Sequence, residues 1–512
     1  LKTLATSATL FGTLLFSAGD PADDVYVVTA GLLDVEQDGN VVRQVGAGAV
    51  IGELALLTGG TRSASIRARR DSHLLRVSQS TFDEVVGSDP RALRALTGVL
   101  ASQLQDAAPA PAGRPPQPRL IAVAALHHGA PAGAVADAID GHLSATSLRV
   151  ARPGQVEPAA LERAEREHDR VLIVAEDPDA AWWAMAVRQA DLLVLVAAHD
   201  APVPIEPPLG RTDVDLVLVG APVPGERVRA WQEVLAPYRI TQTKAPFSVG
   251  TRALAGRIAG RSVGMVMAGG GARAFAHLGI LLELEDAGIR VDRVVGASQG
   301  SIMAAVHARG IDARTAIEMC HEEFVRNNPF DDYTLPTASL VKGRKTEKAL
   351  RRRLTGIGIE ELPVLFRCVS TDLQSRTPYV HRSGDLTSAV MASLSIPGMF
   401  PPRPDGQRLL ADGGVLDNLP VHVLTERDEG PIIAVNIGMG GDVRPHVAGT
   451  APAEPRRIRV PAIGETLMRS LFIGSGGAVA HAREAGAIVV TPSSMGVGLL
   501  EFHQLDRMVE SG

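Results

Sequence analysis

Cysteine, aromatic residues and a strong net charge are all scarce in this chain of 512 residues. Its two cysteines, Cys320 and Cys368, cannot build a disulfide framework, so the composition indicates a reducing cytosol and two buried thiols. Aromatic residues make up 4% of the chain, and the formal net charge is only −6. A mildly acidic balance excludes the basic footprint that is typical of nucleic-acid-binding proteins. We therefore expect no nucleic-acid partner.

Long apolar runs are missing as well. No stretch of about 18 residues is both apolar and free of charge, as a membrane-spanning helix requires. Residues 4–18 have the apolar character of a signal-peptide core, but only Lys2 supplies positive charge before them, and strand-like sequence follows directly. The sequence therefore predicts strands here. The chain opens on Leu1 instead of methionine, as expected for a fragment or a processed form.

The length predicts about three domains, because a single hydrophobic core rarely serves more than about 250–300 residues. The clearest boundary is the stretch DAAPAPAGRPPQPR at 106–119, whose proline and alanine content is typical of an extended linker. It separates a domain at 1–105 from the rest of the chain. In that remainder we expect an α/β domain at 120–255 and a second α/β domain at 256–512.

Residues 1–80 contain short strand patterns separated by turns, which predicts a β-barrel closed by helices near 80–105. Two segments stand out: IGELALL, which begins at Ile51, and TRSASIRA, which begins at Thr61. Together they resemble the phosphate-binding cassette of the cyclic-nucleotide-binding domains, and the resemblance covers roughly residues 9–105. It implies a jelly-roll barrel, although the helix that precedes the barrel in that family is short or missing here.

The cassette residues have the chemistry that a cyclic nucleotide needs. An arginine suits the cyclic phosphate, and a glutamate can accept a hydrogen bond from the ribose 2′-hydroxyl. By matching position, the resemblance implies ligand contacts from Gly52, Glu53, Leu54, Arg62 and Ser63. It also implies a cyclic nucleotide, cAMP or cGMP, as an effector. The alternative is a cassette that serves only the structure of the domain.

Between residues 120 and 251, strand patterns such as LIAVAAL, VLIVAED and DLLVLVAA alternate with helical patterns, which predicts a parallel α/β fold. The segment has no G-x-x-x-x-G-K-[ST] phosphate loop and no acidic pair placed for Mg²⁺. It resembles a degenerate nucleotide-binding fold, like the regions between the two modules in bacterial relatives of neuropathy target esterase. We expect a structural spacer, and the alternative is an NTPase.

Two consecutive strand–turn–helix units follow between Val263 and Ile302. The first strand leads into Gly269, Gly270 and Gly271, whose backbone can turn tightly and leave its N–H groups exposed. The second leads into GASQG at 296–300, which fits the G-x-S-x-G pattern of a nucleophile on a sharp strand-to-helix turn. Both turns fall at one end of a parallel sheet. One can therefore supply a nucleophile, and the other can supply donors for an oxyanion.

A base is predicted further along, where QRLLADGGVLDNLP at 407–420 places Asp412 between a short strand and two glycines. The motifs G-G-G-x-R, G-x-S-x-G and D-G-G, in this order, resemble the patatin-like phospholipases over about residues 263–438. The resemblance implies an α/β/α domain with a mostly parallel sheet, in which a Ser–Asp dyad hydrolyses acyl esters of lipids without a histidine. It implies Ser298 as the nucleophile and Asp412 as the base. The implied oxyanion hole consists of Gly269, Gly270, Gly271, Ala272 and Arg273.

Two positions depart from the family pattern. Ala274 stands where that family usually has glycine, and Ala297 stands where it usually has threonine. Both residues are small, so the turns should keep their geometry. The dyad requires no metal and no other cofactor, and the sequence has no histidine, cysteine and acidic cluster at metal-ligand spacing. The expected substrates are phospholipids or lysophospholipids, so we expect a cytoplasmic protein that associates peripherally with a membrane surface.

Three other interpretations stay open at this point. A Ser–His–Asp hydrolase could use His381 or His422 as its base, since His422 lies only ten residues after Asp412. The GGGARA stretch could be a dinucleotide fingerprint, although no acidic residue follows it at the expected distance and context. The third interpretation is a non-catalytic cyclic-nucleotide sensor or partner-binding protein, whose hydrolase-like domain turns nothing over.

Residues 342–354 carry seven basic residues against one glutamate, and helical spacing places Ala349, Leu350 and Leu354 on one side. This pattern predicts either a solvated helix or a face that docks on anionic lipid. Further along, LSIPGMFPP from Leu394 resembles the segment beside the active site of the patatin-like enzymes, where apolar residues line an acyl pocket. The alternative there is an ordinary proline-rich loop.

Overall fold

The computed structural model describes residues 4–37, 40–88, 94, 97–98, 117–208, 214–220, 222–335, 337–437, 466 and 477–512. Most of the predicted linker at 106–119 lies outside the described residues, as do most of the positions from 89 to 105 where closing helices are expected. Within the described ranges, no helix combines the length and the apolarity that a membrane crossing needs.

The N-terminal domain consists of two four-stranded antiparallel sheets that face each other. Its elements are β1 Leu4–Thr9, β2 Leu14–Phe16, β3 Asp24–Ala30, β4 Leu32–Gln37, β5 Asn40–Gly46, β6 Val50–Ile51, α1 Glu53–Thr58, β7 Ser65–Ala68, β8 Ser72–Ser78 and α2 Gln79–Ser88. The strand orders are β1-β8-β3-β6 and β2-β7-β4-β5. Apolar side chains such as Val28, Leu33 and Leu74 are buried in one cluster between the sheets. The predicted β-barrel is confirmed.

The middle domain is a six-stranded, fully parallel sheet with helices on both faces. Its elements are β9 Leu120–Ala125, α3 Ala132–Ser144, β10 Val150–Ala151, α4 Pro158–Glu167, β11 Arg170–Ala175, α5 Ala181–Gln189, β12 Leu192–Ala198, β13 Val214–Val219, α6 Gly225–Leu235, β14 Arg239–Thr243 and α7 Ser248–Ile258. The strand order is β10-β11-β9-β12-β13-β14. Every residue of β9 is buried, and its side chains alternate between two cores, one on each face.

Helix α7 spans the position at which the sequence predicts a domain boundary. Its residues Leu254, Ala255 and Ile258 pack into the same core as Ile121 and Val123 of β9. The boundary predicted between residues 255 and 256 therefore falls inside a helix that packs against the middle domain. Sequence pattern could not place this boundary, because an amphipathic helix that joins two domains does not reveal which core receives its apolar face.

The C-terminal domain is built on an eight-stranded mixed sheet. Its strands are β15 Val263–Met267, β16 Val291–Ala297, β17 Leu365–Asp372, β18 Thr377–His381, β19 Arg403–Asp405, β20 Arg408–Asp412, β21 Ile432–Val435 and β22 Ile488–Val490. Its helices are α8 Ala276–Asp286, α9 Gln299–Ala308, α10 Ala313–Cys320, α11 Arg344–Leu354, α12 Leu386–Ser393, α13 His422–Thr425, α14 Ala478–Glu484 and α15 Leu505–Ser511, with a 3₁₀ turn at Gly271–Phe275 and a π-helical turn at His321–Arg326. The strands β22-β21-β15-β16-β17 are parallel. Strands β18 and β20 pair antiparallel with β17, and β19 pairs antiparallel with β20.

The order of these strands brings the predicted site residues to one edge. Strands β15 and β16 are parallel neighbours, so the glycine turn after Met267 and the turn after Ala297 emerge at the same end of the sheet. Strand β20 runs the other way beside β17 and ends with Asp412 opposite Ser370, near the carboxyl end of β17. The sheet thus assembles Ser298, the glycine turn and Asp412 from three separate stretches of chain.

Buried ion pairs join the middle and C-terminal domains at the opposite end of the strands. Arg257 Nη2 lies 2.9 Å from Asp215 Oδ1, and Arg257 Nη1 lies 3.0 Å from Glu429 Oε1. Glu429 Oε2 in turn lies 3.5 Å from Nη1 of Arg293, near the start of β16. Because each buried charge has a counter-charge, this network fixes how α7 meets the C-terminal sheet.

Candidate active site

Ser298 lies on the sharp turn between β16 and α9. Its φ of 51° is in the left-handed region, which is unusual for a residue other than glycine. The turn is tight: a Cβ added to Gly296 would lie 2.6 Å from the backbone nitrogen of Ser301, and one added to Gly300 would overlap the carbonyl oxygen of Met267. Glycine is therefore required on both sides of the serine, as in a nucleophile elbow.

Two other serines hold this turn in place. Ser393 Oγ accepts a hydrogen bond from the N–H of Ser298 at 3.0 Å and donates one to the carbonyl oxygen of Val369 at 2.7 Å. Ser301 Oγ donates to the carbonyl oxygen of Ser298 at 2.6 Å. The backbone of Ser298 is thus bound through both its N–H and its C=O groups, and the hydroxyl group can serve chemistry.

Asp412 is held by its own backbone and by the turn that follows it. Its N–H donates to the carbonyl oxygen of Ser395 at 2.8 Å. Its Oδ1 accepts a hydrogen bond from the N–H of Gly414 at 2.7 Å. The other carboxylate oxygen, Oδ2, is buried and has no hydrogen-bond partner within the described residues. One oxygen therefore positions the side chain, and the other is available to a reacting proton.

Burial raises the pKa of Asp412 to about 7, while the nearby Ser298 hydroxyl and the Gly414 N–H act in the opposite direction. Both Ser298 and Asp412 are only 1% exposed. The hydroxyl is close enough to influence the carboxylate, yet it does not complete a hydrogen bond to it, and such contacts often tighten only when substrate binds. A buried carboxylate that titrates near neutrality beside a serine is chemically suited to act as a general base.

The glycine turn approaches the serine closely. A Cβ added to Gly269 would lie 2.7 Å from Cβ of Ser298. Asn418 fixes Gly269 from both sides, since its Oδ1 accepts from the Gly269 N–H and its Nδ2 donates to the Gly269 carbonyl oxygen, each at 3.1 Å. Asn418 belongs to the N-L-P stretch in the sequence, but the pattern did not assign it a role. Only its contact across 149 residues reveals that it positions the turn.

The five residues predicted for the oxyanion hole do not all have a free donor. The Gly269 N–H is bound to Asn418, and the Ala272 N–H donates to Leu499 O at 2.9 Å. The Arg273 side chain donates through Nε to Val497 O at 2.8 Å. Within the described residues, no hydrogen bond engages the N–H groups of the remaining two, Gly270 and Gly271. These two glycines are therefore the donors that the turn can offer to an oxyanion.

The two candidate histidines have other partners. His381 Nε2 lies 2.8 Å from Ser370 Oγ, and burial lowers the pKa of His381 to about 4. His422 Nδ1 lies 3.2 Å from Asp417 Oδ2, and this contact raises the pKa of His422 above its usual value. Neither ring has a recorded contact with Ser298 in the described ranges. The geometry therefore does not assemble a Ser–His–Asp triad.

A second unsatisfied group belongs to the residue after the nucleophile. Gln299 is 2% exposed, and its Nε2 has no hydrogen-bond partner in the part of the chain that the structure describes. Buried polar atoms without a partner are rare, and a bound molecule or an ordered water often satisfies them. Together with Asp412 Oδ2, Gln299 Nε2 is a group that a bound substrate could satisfy.

An apolar cavity lies along helix α9. It is a narrow crevice, partly open to solvent, between α9, α10, the π-helical turn and α11. Helix α9 contributes Ile302 and Val306, one and two turns after Ser298, and α11 contributes Ala349 and Leu350. One wall continues into a connected group of aromatic rings: Phe275, Phe324, Phe330, Phe400 and Phe502. Five of the chain's 11 phenylalanines therefore form one cluster, and Phe324 of this cluster lines the cavity.

One group of possible metal ligands occurs among the described residues. It consists of His128, Asp177 and Asp179, whose ligand atoms lie within 4.8 Å of one another. All three are exposed, and His128 Nε2 lies 2.9 Å from Asp179 Oδ2. The group belongs to loops of the middle domain and supplies no ligand to the Ser298 site. The expectation that hydrolysis needs no metal stays a prediction.

The predicted cyclic-nucleotide residues converge on the start of α1. Gly52 precedes this helix with a φ of 85°, and Glu53, its first residue, is 2% exposed. Leu54 is 46% exposed, and Ser63 is also at the surface. A Cβ added to Gly52 would overlap Nη1 of Arg62. The structure thus brings the two halves of the cassette, which are separate in sequence, into contact.

Arg62 is buried beneath this turn and faces carbonyl oxygens instead of carboxylates. Its Nη2 donates to Asp24 O at 2.9 Å, its Nη1 donates to Gly52 O at 3.2 Å, and the guanidinium lies 4.2 Å from the centre of the Phe16 ring. Its Nε has no partner within the described residues. A buried guanidinium that forms no ion pair with a carboxylate of the described residues favours a bound anion.

Comparison with known proteins decides which family has this arrangement. An NTE family protein of Mycobacterium tuberculosis (strain CDC 1551 / Oshkosh) is 34% identical over an alignment of 529 residues, which covers 97% of this chain and 89% of that relative. This chain belongs to the NTE family. Residues 265–425 of the NTE chain match the family model described as patatin-like phospholipase, and residues 11–89 match the cyclic nucleotide-binding domain. Both predicted resemblances are confirmed, and the NTE chain is a lipid ester hydrolase.

Other relatives of this NTE family chain are fungal and much longer. The lysophospholipase nte1 of Aspergillus fumigatus is 25% identical, and the match covers 98% of this chain but 41% of the fungal protein. The lysophospholipase NTE1 of Cryptococcus neoformans var. neoformans serotype D (strain JEC21) is 26% identical over 86% of this chain and 33% of its own length. The chain therefore corresponds to less than half of each of these two fungal proteins.

Proposed function

We propose that the chain hydrolyses acyl ester bonds of phospholipids or lysophospholipids through a dyad of Ser298 and Asp412. The observation that carries this proposal is a buried carboxylate beside the hydroxyl of a serine whose φ is positive, next to a turn with two N–H groups that no hydrogen bond engages within the described residues. The two fungal relatives are named lysophospholipases, which favours a lysophospholipid as the substrate. The dyad needs no metal and no other cofactor.

In the acylation step, Asp412 takes the proton of the Ser298 hydroxyl while Oγ attacks the carbonyl carbon of the ester. The carbonyl oxygen becomes an oxyanion and accepts hydrogen bonds from the N–H groups of Gly270 and Gly271. The intermediate collapses when the bond from the carbonyl carbon to the alcohol oxygen breaks. Asp412 returns the proton to that oxygen, and the alcohol leaves.

Deacylation reuses the same groups. Asp412 takes a proton from a water molecule, whose oxygen attacks the carbonyl carbon of the acyl-enzyme. The same two N–H groups stabilise the second oxyanion. When the bond to Ser298 Oγ breaks, the serine regains its proton and the fatty acid leaves.

A substrate panel tests this proposal. Purified chain should release fatty acid from lysophospholipid or phospholipid, and the same panel repeated with cAMP and with cGMP would show the sign of any effect. Hydrolysis of no lipid and no soluble ester by well-folded protein would contradict the proposal.

We also propose that the cavity along α9 receives the acyl chain. Its apolar lining matches a hydrocarbon, and it begins one turn from the nucleophile on the same helix. Burying a hydrocarbon chain contributes about 0.8 kcal/mol per CH₂ group, so the cavity would make catalysis depend on chain length.

Filling the cavity should therefore change chain-length preference. Ala349→Phe is expected to lower kcat/KM on a long-chain nitrophenyl ester at least about tenfold, because two or more CH₂ groups lose their apolar contacts. Turnover of the butyrate ester should change much less. Val306→Ala, which enlarges the same cavity, is the matched control and should spare the long-chain ester. Equal losses on both esters with Ala349→Phe would instead indicate damaged packing.

We propose a cyclic nucleotide, cAMP or cGMP, as an effector that binds at Glu53 and Arg62. A route to the rest of the chain exists beyond β7. Arg70 Nη2 lies 2.9 Å from Glu165 Oε1 and 2.6 Å from Asp191 Oδ1, and both acids belong to the middle domain. A change at Arg62 can therefore reach the middle domain through a short strand and a buried ion pair.

Removing the cassette arginine should abolish most nucleotide affinity. Arg62→Ala is expected to weaken binding of cyclic nucleotide about tenfold to about a hundredfold, because a charge-assisted hydrogen bond contributes about 1.5–3 kcal/mol. Calorimetry measures this effect, with Arg67→Ala as the matched control, since Arg67 pairs with Glu36 at the surface. Turnover of a soluble ester should persist in both variants. If the unaltered chain binds neither nucleotide, the cassette serves structure alone.

A further inference from the structure

Two large apolar side chains are exposed on one loop of the C-terminal domain. Tyr333 is 71% exposed and Leu335 is 83% exposed, both in the segment between the π-helical turn and α11. Exposed apolar residues are common when they occur singly, but neighbours of this size on one loop mark a contact surface.

The loop is held by backbone and cap hydrogen bonds. Tyr333 and Val341 form an antiparallel bridge, and the Lys342 N–H donates to Asp332 O at 3.0 Å. Asp332 also accepts hydrogen bonds from the N–H groups of Gly343 and Lys345, at 3.3 and 3.1 Å, at the start of α11. The two apolar side chains are thus presented on a fixed hairpin-like loop next to the first turn of α11.

The basic residues of segment 342–354 divide into paired and unpaired ones. Arg351 lies 2.9 Å from Glu347, Lys345 lies 2.7 Å from Asp331, and Arg352 and Arg353 both pair with Glu323. The remaining three, Lys342, Arg344 and Lys348, are exposed and have no ion pair within the described residues. The free positive charge therefore lies at the start of the helix, beside the loop.

This division changes which residues can test the docking interpretation of segment 342–354. Reversing Arg351, Arg352 and Arg353 would break ion pairs inside the domain, two of them to Glu323, which is only 7% exposed. Such a variant would lose stability whether or not the helix docks on anything. The sequence could not separate the two sets, because the pairing acids lie on other segments or one helical turn away.

The loop is also bound to the segment after α12, which supports the catalytic base. Leu340 and Val341 donate to the carbonyl oxygens of Gly398 and Met399, at 2.8 and 2.9 Å. The same segment contains Ser395, whose carbonyl oxygen accepts the Asp412 N–H at 2.8 Å. A binding partner that contacts the loop would therefore be separated from the active site only by the short segment that contains Ser395.

We propose that Tyr333, Leu335, Lys342, Arg344 and Lys348 form a docking surface for an anionic phospholipid bilayer. The two apolar side chains enter the interfacial region, and the three cations face lipid phosphates. An anionic bilayer matches this surface better than a protein partner does, because the surface combines unpaired positive charge with exposed, protruding apolar side chains. The inference rests on the proposed function only in that the ester substrate is a membrane lipid.

Vesicle binding of the full chain tests the surface. The probe is phosphatidylcholine vesicles with and without about one-third phosphatidylglycerol, measured by co-sedimentation at low and high salt. Lys342→Gln, Arg344→Gln and Lys348→Gln together should weaken binding to the anionic vesicles about tenfold or more, and high salt should remove most of the difference. Tyr333→Ser with Leu335→Ser should weaken it about tenfold at either salt concentration.

Matched controls separate this surface from general effects. Ile205→Ser with Val249→Ser removes apolar groups that are 99% and 86% exposed in the middle domain and should leave vesicle binding unchanged. Lys244→Gln with Arg252→Gln removes two exposed cations of the middle domain and should also leave vesicle binding unchanged. All binding is measured in a Ser298→Ala background, so that it does not depend on hydrolysis. Binding without any turnover in the parent chain would overturn the proposed function and leave the docking surface standing.

A gain-of-signal variant keeps the test decisive if the loss variants fold poorly. The three tryptophans of the chain, Trp182, Trp183 and Trp231, all belong to the middle domain. Leu335→Trp should therefore report a blue shift of its own fluorescence when anionic vesicles are added, and Ile205→Trp should not. Unchanged fluorescence of Leu335→Trp on vesicles that bind the chain would overturn the proposal, because another surface would then make the contact.

Discussion

Ser298→Ala and Asp412→Asn are each expected to lower turnover of a soluble ester by about 10³-fold or more, because members of a catalytic unit fail together. The serine loses the atom that attacks the carbonyl carbon. The asparagine keeps the shape of the side chain but cannot accept the hydroxyl proton. Steady-state kinetics on a soluble short-chain ester measures both losses without any dependence on a bilayer.

Folding must be measured beside activity for these variants. Burial disfavours the charged form of Asp412, whose folded pKa of about 7 lies above that of an unfolded aspartate. Stability therefore falls as pH rises through the window between those two values. Asp412→Asn removes this cost, so its thermal midpoint at pH 8 should equal or exceed that of the parent. Near-normal turnover by Asp412→Asn would show that the dyad assignment is wrong.

The pH profile should fall on the acid side with an apparent pKa of about 7. Asp412 must be deprotonated to accept the serine proton, and burial raises its pKa to about 7. Below that value, kcat/KM should fall about tenfold for each pH unit, so that activity at pH 5 is about a hundredfold lower than at pH 8. An aspartate at its ordinary pKa would give a nearly flat profile over this range.

A histidine that must be deprotonated for activity would produce a similar fall of kcat/KM at acid pH, which we call the acid limb, so a control is needed. The contact with Asp417 raises the pKa of His422 above its usual value and could mimic the profile. His422→Ala should therefore leave both turnover and the acid limb unchanged, since its partner is Asp417 and not Ser298. Loss of the acid limb in this variant would restore the triad interpretation.

Much of the fold follows from local patterns. Continuous apolar runs predict buried parallel strands, as in β9 and β15, because a strand buried on both faces has no polar side. Short strands with alternating apolar and polar residues, separated by turn residues, predict the N-terminal barrel, because each of these strands has one face buried and one face exposed. The boundary between the middle and C-terminal domains was not predictable from local pattern. Helix α7 is held at this boundary by ion pairs of Arg257 with Asp215 and Glu429, and these two acids come from distant segments.

The candidate site divides in the same way. Ser298 and the glycine turn are visible in sequence because their backbone geometry admits few residues, and those glycines leave a pattern. Which N–H groups remain for an oxyanion is not visible, because Asn418 and Leu499 occupy two of them across long stretches of chain. Ser393, which holds the nucleophile turn, leaves no pattern at all. Contacts between side chain and backbone across distant segments carry no periodicity.

The most direct test of the dyad is the site and rate of labelling by a fluorophosphonate, read by intact mass and peptide mapping. We expect a single adduct on Ser298, none in Ser298→Ala, labelling slowed about a hundredfold or more in Asp412→Asn, and an unchanged rate in His422→Ala. An adduct on another residue, or labelling of Asp412→Asn at the rate of the parent chain, would contradict the assignment of the Ser298–Asp412 dyad.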